Sequence, residues 1–190
     1  VSVHRVEFLL LALEQLFNNA AKANFISGGS SSVPLLIRAI IGRGWGQGPS
    51  HSQGFESVFA CVPGLKVVCP SMPSQAYNLI KNSYQDDAPV ICLEHRWVHY
   101  AEGAIGEMGG KAESIEPVKL RSGDKLTLVS FGYLTLECLL VVDEYRKLGT
   151  EIELIDLQMI RPLKLDMVFE SVKKTGHLMV VDQGSKFLGI

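Results

Sequence analysis

One stretch concentrates the residue types that do chemistry. It reads Gly42-Arg43-Gly44-Trp45-Gly46-Gln47-Gly48-Pro49-Ser50-His51-Ser52-Gln53, and alternating glycines let a backbone approach a ligand or a neighbouring chain closely and take up positive φ. His51 stands where this loop meets the next helical pattern, beside Ser52 and Gln53 and off any apolar stripe. An imidazole so placed can donate to an anionic intermediate or shuttle a proton near neutral pH; the competing role is a helix cap. The glycine run alone identifies no ligand. It matches neither G-x-G-x-x-G at a helix start nor G-x-x-x-x-G-K-[ST], and it carries no lysine for a phosphate. A long turn satisfies it equally well.

The other polar candidates point less sharply. His95 and His99 flank Arg96-Trp97, His177 opens a strand-like run and His4 lies near the first residue, so packing or surface roles are expected for all four. Arg161-Pro162-Leu163 could bind an acidic group or a partner chain, a helix-capping arginine being the plainer role. Glu7, Glu14 and Glu56 read as helix-face residues, and no carboxylate stands beside the glycine loop in sequence. An acid/base pair therefore cannot be assembled there. Local spacing yields no Ser-His-Asp, Cys-His or H-E-x-x-H set either, which argues against a self-contained hydrolase or metalloenzyme.

The elements that must position these residues alternate between strand and helix. Val6 to Ala23 reads as one amphipathic helix, with Val6, Leu9, Leu10, Leu13, Phe17, Ala20 and Ala21 on one stripe, stopped by Asn24 and Ser27-Gly28-Gly29. Val33 to Ile40 is a strand entering the glycine loop, and helical spacing returns from Ser52 to Val62. Leu65 to Cys69 is a compact strand. Ser71 is a predicted N-cap for a helix ending at Asp86-Asp87, before a strand from Val90 to Leu93. After a glycine-containing stretch without period, the pattern restarts with strands at 126–131, 152–157 and 178–181. Helices at 134–148 and 165–175 lie between them, closed by Gly149 and Gly176. Apolar strands alternating with helices predict an α/β fold with two parallel-sheet, three-layer domains. The expected division is residues 1–100, a linker at 101–117, and residues 118–190. In such sheets ligands collect at the carboxyl ends of strands, where His51 falls.

Composition limits the partners. The 190 residues are 47% hydrophobic and 20% charged, with Gly 18 and Pro 8, which is a globular composition. Lys+Arg 18 against Asp+Glu 20 gives a net charge of −2 without a basic block, so neither nucleic acid nor an anionic membrane surface is an expected partner. The longest apolar run, Phe8 to Leu13, is far short of the roughly 20 residues a membrane helix needs. Cys61, Cys69, Cys92 and Cys138 lie in apolar stretches with no C-x-x-C pair; they are expected to be buried thiols in a reducing compartment. The chain opens at Val1 without a signal-peptide layout, and a piece of a longer chain is expected.

The motifs taken in order resemble one family. Ala20-Ala21-Lys22, Ser27-Gly28-Gly29, Val33-Pro34 with Arg38, the glycine loop into His51-Ser52-Gln53, Pro63-Gly64-Leu65-Lys66-Val67-Val68 with Pro70, Asp86-Asp87 with Pro89, Leu93-Glu94 and Ile160-Arg161-Pro162 follow one another. This order resembles the beta subunit of the thiamine-diphosphate-dependent 2-oxo-acid dehydrogenases, of the pyruvate, branched-chain and acetoin type, in the transketolase-like superfamily. The first half is similar to the pyrimidine-binding domain and the second to the transketolase C-terminal domain, both incomplete.

The resemblance implies an oxidoreductase subunit that decarboxylates a 2-oxo acid on thiamine diphosphate and passes the acyl group to lipoyl. It implies that Phe8 packs on the aminopyrimidine ring and that His51 is the active-site histidine, acting on cofactor-bound intermediates or on the incoming lipoyl group. In some members a potassium ion is held by backbone oxygens at the positions of Leu35, Ser83, Tyr84 and Asp86. It further implies that the cofactor-activating glutamate precedes the segment matching Val1, and that the alpha subunit of an alpha2-beta2 heterotetramer holds the diphosphate and magnesium. A lipoyl acyltransferase core is the implied larger partner. The implied location is the cytoplasm of a bacterium, or the mitochondrial matrix or plastid of a eukaryote. One departure stands out: Gly110-Lys111-Ala112 is present, but its spacing to Asp124 is longer than the family's. The alternatives are a transketolase-like ketol-transferase half chain and a non-catalytic α/β subunit using the glycine loop only for subunit contact.

Overall fold

The computed structural model describes residues 1–44, 46–105 and 115–190; Gly110-Lys111-Ala112 and Trp45 lie outside the described residues. The first sheet contains β1 (Ser2–Val3), β2 (Leu36–Ile41), β3 (Lys66–Val68), β4 (Val90–His95) and β8 (Met159–Arg161), in the order β1-β2-β4-β3-β8. β4 lies in the middle, parallel to both neighbours and with all six residues buried, which is why its sequence is an unbroken apolar run up to Glu94 and His95. Its register with β2 runs from Leu36↔Val90 to Ile41↔His95. Both strands therefore leave the sheet together, and the loop after Ile41 lies against His95 and Trp97.

The second sheet has the order β5-β7-β6-β9, from β5 (Val118–Arg121), β6 (Leu126–Ser130), β7 (Ile152–Asp156) and β9 (Leu178–Val181). Helices α5 (Tyr133–Lys147) and α6 (Asp166–Thr175) connect its parallel strands, and Gly176 closes α6 in the left-handed conformation. Neither sheet is wholly parallel: β8 runs antiparallel to β3, and β5 antiparallel to β7. Both are short edge strands in stretches that carry no periodic signal. β8 comes from the second half of the chain, so the halves share an edge, and Phe59, Ile91 and Leu93 pack in one core with Val129, Ile155 and Ile160.

Three local expectations are corrected. The predicted single helix at Val6 to Ala23 begins as α1 (Val6–Leu9), tightens to 3₁₀ bonding at Leu10–Ala12 and widens to π bonding at Gln15–Ala20, before α2 (Ala23–Ile26). The widened turn shifts the helical phase, so Val6, Leu9, Leu16 and Ala21 are the residues fully buried. Helix α4 (Pro73–Tyr84) starts with Met72 as its cap and Pro73 at its first position, where a fixed φ and a missing N–H cost nothing. Ser71 turns elsewhere. The four cysteines are free thiols, but Cys61, following helix α3 (Glu56–Ala60), is exposed while the other three are buried.

Candidate active site

The glycine loop leaves β2 at Gly42 and ends in a 3₁₀ turn, Pro49–His51. Gly42, Gly44, Gly46 and Gly48 all have positive φ. At Gly42 the need is double, since a Cβ would also run into the His95 ring. That ring stacks on Tyr133 at 4.6 Å, and Trp97 meets both edge-on. Burial, helped by the charges of Arg43, Arg5 and His99, lowers the His95 pKa to about 4. His95 is a neutral packing ring beneath the loop, as its sequence position suggested.

The loop returns His51 to the start of the first helix. The His51 and Phe8 rings lie 5.5 Å apart and tilted by 44°, and Phe8 remains 55% exposed although it neighbours the core residue Leu9. An apolar ring left open beside a histidine is a surface on which a planar ligand can stack. Glu7 also belongs here. Its Oε2 lies 3.8 Å from His51 Nδ1, its Oε1 accepts from the Gln53 N–H at 3.3 Å, and the Arg5 Nε lies 3.6 Å from Oε2. Arg5 is itself buried and donates to Gln47 Oε1 and to the Gly42 carbonyl, fastening the helix start to the loop. Spacing puts Glu7 on a helix face; the fold brings it across 44 positions to His51. Its adjacency to Phe8 was the only local signal.

The positions proposed for potassium lie at the opposite end of the first sheet. Leu35 precedes β2 and its carbonyl accepts from the Val90 N–H; Ser83 and Tyr84 end α4, and the Ser83 carbonyl accepts from the Asp86 N–H. The Asp86 carboxylate is paired with the Lys66 ammonium and accepts from the Ala88 N–H. A cation there would rely on main-chain oxygens, although the buried Ser83 hydroxyl has no hydrogen-bond partner. Among the described residues no group of three or more His, Cys, Asp or Glu could hold a metal, and no helix is long and apolar enough to cross a membrane.

Two further buried carboxylates stand apart from this site. Glu56, expected on a helix face, is buried and accepts from Gln183 at 2.5 Å; burial raises its pKa. Asp156, at the end of β7, accepts from Ser71 at 2.5 Å, from the Gln158 N–H at 3.1 Å and from Thr135 at 3.4 Å. These contacts join the two halves of the chain.

Residues 6–98 match the family model for the transketolase pyrimidine binding domain, and residues 110–190 that for the transketolase C-terminal domain. The two matches follow one another along the chain, a transketolase pyrimidine binding domain and then a transketolase C-terminal domain. Among curated relatives it is 36% identical over 180 residues to the "Acetoin:2,6-dichlorophenolindophenol oxidoreductase subunit beta" of Cupriavidus necator, covering 95% of this chain and 53% of that protein. It is 35% identical over 190 residues to the mitochondrial "Pyruvate dehydrogenase E1 component subunit beta" of Bos taurus, covering 96% and 52%. A solved "Split gene transketolase, inactive beta4 tetramer" shares the fold, with a TM-score of 0.79 and 19% identity over 99% of this chain and 58% of that one. The chain thus spans about half the length of the curated relatives it matches.

Proposed function

We propose that this chain is part of the beta subunit of a thiamine-diphosphate-dependent 2-oxo-acid dehydrogenase, the component that decarboxylates a 2-oxo acid and transfers its acyl group to lipoyl. The observation that carries the reading is the Phe8–His51 pair, an open aromatic and a half-exposed imidazole at the carboxyl end of β2. Relatives named as an acetoin:2,6-dichlorophenolindophenol oxidoreductase subunit beta and as pyruvate dehydrogenase E1 component subunits beta support it.

Thiamine diphosphate, when bound, supplies the electron sink that a 2-oxo-acid decarboxylation requires. Phe8 would hold its pyrimidine by ring contact. His51 would hold or move a proton at Nε2, the ring nitrogen on the open side, during acyl transfer. The positive φ of Gly42, Gly44, Gly46 and Gly48 lets the backbone turn back on itself and carry that ring to the reaction face.

The same reading assigns the diphosphate and magnesium to an alpha subunit, in an alpha2-beta2 heterotetramer that docks on a lipoyl acyltransferase core. It assigns a potassium ion to the main-chain oxygens at Leu35, Ser83, Tyr84 and Asp86. It divides the chain into residues 1–100 and 118–190 joined by 101–117; the described strands of each sheet follow that division except β8, which crosses from the second segment to the edge of the first sheet. The relatives carry both bacterial and mitochondrial names; the compartment follows the host, cytoplasm in a bacterium and mitochondrial matrix or plastid in a eukaryote.

The test is co-expression of the complete protein with a candidate alpha subunit, followed by thiamine-dependent turnover of pyruvate and branched 2-oxo acids. Cofactor-dependent decarboxylation with lipoyl acylation is expected, with acylation lost in His51→Ala. Failure to bind any alpha subunit, or full acylation by His51→Ala, would overturn the reading.

A further inference from the structure

We propose that Glu7 is the positioning residue for His51: its carboxylate holds the ring's proton on Nδ1, so that Nε2 faces the reacting side as the proton-accepting atom. This rests on the functional reading of His51 given above. Glu7 and His51 approach through Oε2 and Nδ1 at 3.8 Å, and both atoms are buried without a hydrogen-bond partner. Buried polar atoms are seldom left so. Two such atoms facing each other form a pair poised to close, and a shift of about 1 Å would make a charge-assisted hydrogen bond.

The partners around Glu7 fix the geometry. The Gln53 N–H holds Oε1, and the Arg5 guanidinium lies beside Oε2. Arg5 is tied in turn to Gln47 and to the Gly42 carbonyl. The carboxylate is therefore gripped by the loop that carries His51, and its approach to the ring is set by backbone rather than by a free rotamer. A carboxylate can only accept, so a neutral imidazole facing it is best served with its proton on Nδ1. The ring tilts against Phe8, and 39% of the side chain is exposed although Nδ1 is buried, which leaves Nε2 as the nitrogen for the reacting side. When Nε2 takes up a proton, Glu7 stabilises the resulting cation.

The test combines a spectroscopic and a kinetic readout on the complete, alpha-assembled protein. With histidine ring nitrogens labelled by ¹⁵N and His51→Asn used for assignment, the neutral His51 ring should show a protonated Nδ1 in the wild type. Glu7→Gln should shift the ring to a mixture of tautomers, and Glu7→Asp, which keeps the charge, should restore part of the Nδ1 form. Lipoyl acylation should fall by about 10-fold in Glu7→Gln and by about 100-fold in His51→Ala. The double variant should be no slower than His51→Ala alone, because one residue acts through the other. Unchanged ring shifts in Glu7→Gln, or losses that multiply in the double variant, would overturn the proposal. Full acylation by His51→Ala would instead overturn the functional reading and leave the tautomer measurement to judge Glu7.

Discussion

Two carboxylates at the margins of the two sheets meet different fates. Asp156, at the end of β7, is enclosed, and its oxygens accept from the Ser71 and Thr135 hydroxyls and the Gln158 N–H. Glu7, at the start of α1, has one oxygen on the Gln53 N–H and the other short of a hydrogen bond, facing an equally unpartnered nitrogen of His51. The closed cluster ties the halves of the chain together, while the open one sits beside an exposed aromatic ring. Satisfied polar groups rigidify a fold, and a polar group held short of its partner is available to a ligand or a moving proton.

The largest expected effect lies in the open cluster and falls on activity. His51→Ala in the assembled enzyme should lower lipoyl acylation by about 100-fold or more, with little change in the urea unfolding midpoint. In the closed cluster the effect should fall on stability. Asp156→Ala strands buried donors, and an unfolding free energy about 3 kcal/mol lower is expected, whereas Glu7→Gln should cost under about 1 kcal/mol. Equal costs in urea titrations would erase the distinction. Gly42→Ala connects the two regions through the packed rings: with φ at +99° and the His95 ring in the way, a loss of about 2 kcal/mol is expected from the backbone strain and the clash.

The smallest expected effect is a pH dependence that separates two carboxylates on one strand. Burial raises the Asp156 pKa from 3.8 to about 6, against its hydrogen bonds from Ser71, Gln158, Gln75 and Thr135. Its folded form binds the proton more tightly, so its contribution to stability is complete below 3.8 and is lost as pH rises through about 6. Glu153 is also buried, but Lys174, Ser171, the Gly123 N–H and Lys119 outweigh burial and bring its pKa to about 2 from 4.5. Its contribution is complete above 4.5 and is lost as pH falls through about 2. Acidifying from about pH 7 to about pH 5 should therefore raise the urea midpoint of the wild type relative to Asp156→Asn. A constant difference between the two proteins would show that burial does not govern Asp156.

The placement of His51 was legible in the sequence, because a strand and a glycine run put it in a carboxyl-end loop without any tertiary information. Phe8 is singled out only by the family resemblance, since spacing alone leaves it on a helix; its exposed ring beside His51 is a product of the fold. Glu7 and Asp156 were hidden for the same physical reason: their partners are 44 and 85 positions away, and no local pattern encodes a contact made by sheet register and helix phase. The antiparallel edges β5 and β8 escaped because three- and four-residue strands have no measurable period. Ser71 looked like a cap because its residue type suits one, but Pro73 starts the helix and frees the hydroxyl for Asp156.

The most direct measurement of the Phe8–His51 site is calorimetric titration of the complete alpha-assembled protein with thiamine diphosphate, comparing wild type with Phe8→Ala and His51→Ala. Phe8→Ala should weaken cofactor binding by about 10-fold, the loss of one ring contact of about 1.4 kcal/mol, while His51→Ala should bind it nearly as the wild type does and fail in acyl transfer. Unaltered cofactor affinity in Phe8→Ala, together with unaltered acyl transfer in His51→Ala, would contradict the assignment of this face as the cofactor and reaction site.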